Sequence, residues 1–263
     1  MDNNHILTEI REDGVATVTL NRAEVHNAFN DTVIADLTGV LRRLGDDNKV
    51  RAVVLRAEGK SFSAGADLGW MQRMAGYGHA ENLADAGALA ELMRVLNFLP
   101  KPTVSRVQGA AFGGGVGLIA CCDIAIASDA ASFSLSEVRL GLIPAVISPY
   151  VVAAIGERAA RRYFLTAERF GADEALRIGL VHQVVPADQL DSAVETILTR
   201  LSEGGPKAQQ AAKDLIFAVA HRPVDAGLIL DTAERIAIIR ASAEGREGLA
   251  GFLEKRKPAW TAR

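Results

Sequence analysis

Two short runs constrain the fold of this chain most. Val50 to Ala57 carries Val53-Val54-Leu55 without a polar break, and Thr103 to Val107 is a second strand-like run. A strand that is apolar at successive positions is buried on both faces, as in a parallel sheet. Parallel neighbours need a crossover, usually helical, and helical patterns precede both runs. Asn30 or Asp31 can cap a helix whose apolar positions are Val33, Ile34, Leu37, Val40, Leu41 and Leu44. A further helix is expected from about Leu83 to Phe98, ending before Pro100-Lys101-Pro102. The order predicts an α/β sheet.

The remaining chain fits that frame. His5 to Ile10 and Val15 to Leu20 read as a hairpin around Glu12-Asp13-Gly14. Glu58 to Asp67 reads as a small-residue loop, and Trp70 to Tyr77 as a mobile segment. Asp123 to Ser128 and Ser132 to Leu135 are short strands. Helices are expected at Tyr150–Ile155, Arg158–Leu165 and Asp173–Ile178, then a strand at Leu180–Val185. After Gly204-Gly205-Pro206 come helices at Lys207–Ala220, Val224–Ala241 and Arg246–Lys255. No repeat or long linker interrupts the 263 residues, which are expected to form one functional unit: residues 1–200 as the α/β core and 201–263 as a helical portion.

Composition excludes several functions. A net charge of −3 gives no basic footprint for nucleic acid. No run of 18 apolar residues predicts a membrane span, and the polar start Met1 to His5 lacks a signal-peptide core. The two cysteines, Cys121 and Cys122, are adjacent, which predicts buried, reduced thiols rather than a disulfide or metal site. A cytoplasmic location is expected. His26, His79, His182 and His221 lack partners at ligand spacing, and Asp123 is expected to tie a loop.

Candidate chemistry concentrates in two loops, each following a predicted buried strand: Ala64-Gly65-Ala66-Asp67 and Gly113-Gly114-Gly115. If the strands are neighbours, backbone N–H groups of both loops can converge on one carbonyl oxygen as an oxyanion hole. Alone, either is also ordinary turn chemistry. Gly115-Val116-Gly117-Leu118-Ile119-Ala120 also fits the dinucleotide pattern G-x-G-x-x-A, with Glu137 about twenty residues on. Against it, the apolar segment before Asp123 is short for a βαβ crossover.

Phe62-Ser63-Ala64-Gly65-Ala66-Asp67-Leu68 and Gly109-Ala110-Ala111-Phe112-Gly113-Gly114-Gly115 resemble the signature loops of the crotonase family, the enoyl-CoA hydratases and isomerases. Cys122-Asp123-Ile124, Phe133 to Gly141, and Glu247-Gly248 to Glu254-Lys255-Arg256 extend the likeness from about Val15 to Trp260. The resemblance implies a spiral of ββα units with a helical C-terminal trimerisation portion, assembled as a homotrimer or dimer of trimers. It implies acyl-CoA thioester substrates and no cofactor, CoA being part of the substrate. It places oxyanion donors at the N–H groups of Ala66 and Gly114, Ala64, Asp67 and Leu68 near CoA, and Arg22 near pantetheine or phosphates. Relatives use the C-terminal helix to cover a neighbour's CoA; here Glu254-Lys255-Arg256-Lys257 otherwise reads as a solvated helix face.

The departures from the family pattern carry information. Family hydratases usually hold two glutamates, and the first of these positions is Gly117 here. The second matches Glu137. A glutamate is ordinarily a solvent-facing charge, but its motif makes Glu137 the candidate general acid/base, with burial raising its pKa. The apolar stretch Gly141 to Tyr150 and the missing side chain at Gly117 predict a reshaped acyl pocket with added room. With Asn82-Leu83-Ala84-Asp85 and Arg161 to Glu168, the pattern is similar to bacterial methylglutaconyl-CoA hydratases of leucine degradation, whose sister group acts on isohexenylglutaconyl-CoA. Alternatives are a Δ3,Δ2-enoyl-CoA isomerase using one glutamate, and a non-catalytic acyl-CoA-binding or assembly protein.

Overall fold

The computed structural model describes residues 5–261. Strands β1 (Ile6–Ile10) and β2 (Val15–Leu20) form the expected antiparallel hairpin. Gly14 turns it at φ 85°, a conformation open to glycine. Helix α1 (Asp31–Asp46) begins at Asn30, whose side chain accepts the Val33 N–H, and buries all six expected apolar positions. Strand β3 (Ala52–Ala57) lies parallel to β2 and completes the crossover.

The next segment corrects two expectations. The loop after β3 contains a three-residue strand, β4 (Ser61–Ser63), and helix α2 (Leu68–Met74) runs into the segment expected to be mobile. Local hydrogen bonding explains the helix: the Asp67 carboxylate accepts the N–H groups of Gly69 and Trp70. Trp70 is buried and donates its indole N–H to Asp85 on α3 (His79–Asn97).

Strand β5 (Thr103–Val107) runs parallel to β3, then β6 (Ala110–Phe112), α4 (Gly114–Cys121), β7 (Ile124–Ser128) and β8 (Ser132–Ser134) follow. The eight-residue α4 does return the chain to a strand parallel to β5, because β6 supplies the rest of the crossover. Helix α5 (Ser148–Thr166) is broken at Gly156 (φ 73°, ψ 158°) into the two expected arms. Strand β9 (Phe170–Gly171) and α6 (Ala172–Ile178) precede β10 (Gln183–Val185). That last strand is shorter than expected, since the Leu180 N–H closes α6 by bonding Ala175.

Four helices finish the chain: α7 (Leu190–Glu203), absent from the sequence expectation, then α8 (Pro206–Val219), α9 (Ala226–Ala241) and α10 (Ala243–Leu253). The basic-acidic ending is not a helix face. Helix α10 stops at Leu253, and Arg256 folds back onto Glu247.

The strands form a six-stranded sheet, β1-β2-β3-β5-β7-β10, and a four-stranded sheet, β4-β6-β8-β9. Each turn of chain adds a strand to the first sheet, a short strand to the second, and then helix. The successive units β3-β4-α2/α3, β5-β6-α4 and β7-β8-α5 make the spiral of ββα units. Val53 and Leu55 face the main core while Val54 faces a second cluster with Leu190, Val194 and Leu198 of α7. Covering on both sides accounts for the uninterrupted apolar run in β3.

Candidate active site

The second sheet brings the two predicted loops together, because β4 and β6 pair in parallel with Ser61 beside Ala110 and Ser63 beside Ala111. Glycines permit the approach. A Cβ on Gly109 would stand 1.9 Å from the Lys60 carbonyl oxygen, and one on Gly115 would stand 2.7 Å from that of Ser63. Gly114 packs on the Phe29 ring, where an added Cβ would lie 3.0 Å from Cε2.

Phe29 also holds the other loop. Its N–H donates to the Gly65 carbonyl (2.7 Å) and its carbonyl accepts the Asp67 N–H (2.8 Å), so Ala66 forms a parallel bridge with it. Along extended chain, successive N–H groups point to opposite sides, so the Ala66 N–H faces away from Phe29. Gly114 is the first residue of α4, where N–H groups have no intrahelical acceptor. Two backbone donors are therefore presented on adjoining segments at the positive end of a helix.

Glu137 stands beside them. It opens a 3-10 turn, Glu137–Leu140, after β8, and its Oε1 lies 3.0 Å from where a Gly113 Cβ would be. Gly113 has φ 51° and donates its N–H to Ser134 of β8 (2.9 Å), which fixes the start of α4 against the strand leading to Glu137. Glu137 Oε2 is buried with no hydrogen-bond partner among the described residues. Burial pushes this carboxyl above the ordinary glutamate value of 4.5. A buried, unpaired carboxyl oxygen is costly in a fold, and such groups cluster at reactive sites.

Arg22 and Asp67 meet. The guanidinium donates to the Ala28 carbonyl (2.7 Å) and to Asp67 Oδ2 (3.0 Å). Both groups are largely covered. Arg22 thus helps hold the Asp67 loop, and its Nε is buried with no hydrogen-bond partner among the described residues. Partial burial opposes ionisation of Asp67, yet hydrogen bonds from Trp70 and then Arg22 outweigh it and lower its pKa. Ala64 is anchored through its N–H to the His26 carbonyl (2.9 Å), and Leu68 is 77% exposed at the rim.

Gly117 corrects the expectation of added room. An added Cβ would stand 2.3 Å from Ile147 Cγ2, 2.9 Å from Ile147 Cβ and 3.2 Å from Met93 Cε. Ile147 fills the space.

Two side-chain amides of this region escaped the sequence. Asn27, at φ 53°, donates its amide to the Glu58 (2.8 Å) and Ser61 (2.9 Å) carbonyls and accepts the Arg22 N–H. Its signal was an asparagine, which tolerates left-handed turns. Gln108 donates to Ala57, Gly59 and Ser61 carbonyls, and no local pattern announces that. Asp123 ties a loop, as expected, accepting from Thr103 and Lys213. Both cysteines are buried free thiols.

Two surface concavities of about 220 and 510 Å³ lie around Arg11 and Arg51 and contain none of these residues. Among the described residues no cluster of His, Cys, Asp and Glu could hold a metal ion, and no helix is long and apolar enough to cross a membrane.

A family model described as enoyl-CoA hydratase/isomerase matches residues 10–263. A crystal structure of an enoyl-CoA hydratase from Shewanella pealeana superposes with a TM-score of 0.95 at 48% identity, covering 97% of this chain and 96% of that one. The crotonyl-CoA hydratase of Syntrophomonas wolfei is 32% identical over 250 residues, 94% of each chain. The trans-2-decenoyl-[acyl-carrier-protein] isomerase of Streptococcus mutans is 31% identical over 270 residues, spanning both chains fully.

Proposed function

Because the chain belongs to the enoyl-CoA hydratase/isomerase family, we propose that its enoyl-CoA hydratase-type activity is directed at a branched 2-enoyl-CoA, 3-methylglutaconyl-CoA or isohexenylglutaconyl-CoA. The chain is an enzyme of the hydratase type with an acyl-CoA thioester substrate. The residue roles and the acyl chain are our assignment.

In this assignment the N–H groups of Ala66 and Gly114 donate to the thioester oxygen as negative charge develops there. Loss of one such donor costs about 3 kcal/mol of barrier. Ala64 and Leu68 flank the CoA, and Asp67 with Arg22 keeps their loop in place. Water oxygen bonds to C3 and its proton passes to the Glu137 carboxylate. Glu137 then returns a proton to C2 as the enolate collapses, so no cofactor is consumed. The substrate's distal carboxylate helps hold the water, a task for which a second protein glutamate is absent at Gly117. The observation that carries the assignment is Glu137: buried, unpaired at Oε2 and in contact with the glycine turn.

One carboxylate also suffices to move a proton from C2 to C4 of a 3-enoyl thioester. The isomerase named among the relatives favours this second reading. The test compares wild type and Glu137→Gln on 3-methylglutaconyl-CoA, crotonyl-CoA and a 3-enoyl-CoA in deuterated water. The branched diacid thioester should exceed crotonyl-CoA at least tenfold in kcat/KM, and the variant should lose about 10³-fold. Equal rates on crotonyl-CoA would refute the role of the distal carboxylate. Deuterated isomer without hydroxyacyl product would establish the isomerase.

The C-terminal helices, within residues 201–263, are proposed to build a homotrimer or a dimer of trimers. Their exposed apolar side chains support this.

A further inference from the structure

Two locally poor choices meet inside this molecule. Gly117 sits in the interior of α4, where glycine costs about 1 kcal/mol relative to alanine. Ile147 sits at the N-cap of α5, a position that favours Ser, Thr, Asp or Asn, and provides no side-chain cap there. Each makes sense through the other, because Ile147 Cγ2 lies 2.3 Å from where a Gly117 Cβ would be. Conflicts with local preference concentrate where a fold serves a site.

The position of this contact matters. The Gly117 N–H donates to the Gly113 carbonyl (3.2 Å), so the two glycines share one face of α4, about 6 Å apart along its axis. Glu137 lies on Gly113 and Ile147 lies on Gly117. In the assignment above, a thioester carbonyl held at Gly114 puts C2 and C3 before Glu137, and an acyl chain continuing along this face of α4 would reach the level of Ile147. Ile147 is only 3% exposed and belongs to the main core cluster, so its rotation is restricted.

We propose that Ile147 is a specificity-determining residue, closing the acyl chamber one helical turn beyond Glu137 and limiting the bulk of the acyl chain. The inference rests on the thioester reading above, and its test separates the two. Binding of butyryl-CoA and 4-methylpentanoyl-CoA, saturated and unreactive, is measured by calorimetry on wild type, Ile147→Ala, Ile147→Val and Gly117→Ala. Turnover of crotonyl-CoA and 3-methylglutaconyl-CoA is measured alongside.

Removing side-chain bulk at 147 should shift the ratio of dissociation constants about tenfold or more toward the larger thioester for alanine, and about threefold for valine. Gly117→Ala, whose Cβ would displace Ile147 from the surface of α4, should shift it the other way. If alanine fails to fold, valine carries the same comparison. Ratios within twofold of wild type, with only a lowered Tm, would reduce Ile147 to core packing and overturn the proposal. Wild type that binds both saturated thioesters but hydrates neither crotonyl-CoA nor 3-methylglutaconyl-CoA would defeat the hydration reading and leave this one to the ratios. Failure of wild type to bind either would overturn both.

Discussion

Glu137 shows how one side chain joins stability to chemistry. Its Oε2 is buried without a partner among the described residues, and that burial raises its pKa. The folded chain therefore holds a proton that an unfolded chain has already released. The resulting stabilisation is fully present below 4.5 and is lost as pH rises through the raised folded value. The Tm of wild type minus that of Glu137→Gln should fall from pH 4 upward and then flatten. The acid limb of kcat/KM, which reports the same carboxyl as base, should have its midpoint above 4.5. A midpoint at or below 4.5 would show the carboxyl to be hydrated. At this scale the meeting of Glu137 with the Gly113 turn was legible because a motif marks both. Ile147 was not, because its contact with Gly117 joins positions thirty residues apart that share no local pattern.

At the scale of elements, legibility followed periodicity and locality. Helix α1 carries its core face at 3.6-residue spacing and its cap at Asn30, so both ends and face were readable. Helix α7 repeats Leu190, Ala193, Val194, Leu198 and Leu201 at the same spacing, so its signal was present though unused. Strands β4 and β6 carried no such signal. Ser61-Phe62-Ser63 and Ala110-Ala111-Phe112 lack β-branched residues and become strands only by pairing across the chain. That pairing depends on Gly109, whose Cβ would lie 1.9 Å from a backbone oxygen that cannot move aside. Gly109→Ala should cost more than about 3 kcal/mol in urea unfolding and separate the two loops. Gly87→Ala on exposed α3 is the control. An added Cβ there meets nothing within 4 Å, so a gain of up to about 1 kcal/mol is expected. Equal effects at the two positions would deny that β4–β6 contact is enforced by glycine.

At the scale of the whole molecule, the C-terminal helices present the largest discrepancy between composition and exposure. Ile229, Leu230, Ile236 and Ile238 on α9, with Phe252 and Leu253 ending α10, are between 48% and 81% exposed. These side chains are the candidates for the proposed assembly, since large exposed apolar patches mark interaction surfaces. The helices are fixed to the core, since Lys213 of α8 donates to Asp123 (2.8 Å) at the start of β7. They therefore offer a rigid face, and a stable interface needs about 800 Å² from each partner. Ile229 and Ile236 lie seven residues apart on one side of α9, so arginine at both positions would put two charges into any contact made there. Wild type should sediment at three or six chain masses. The Ile229→Arg, Ile236→Arg variant should sediment at one, with its far-ultraviolet dichroism retained because neither side chain is part of the core. A wild-type monomer, or a variant that still assembles, would move the interface elsewhere and leave these apolar residues to another partner.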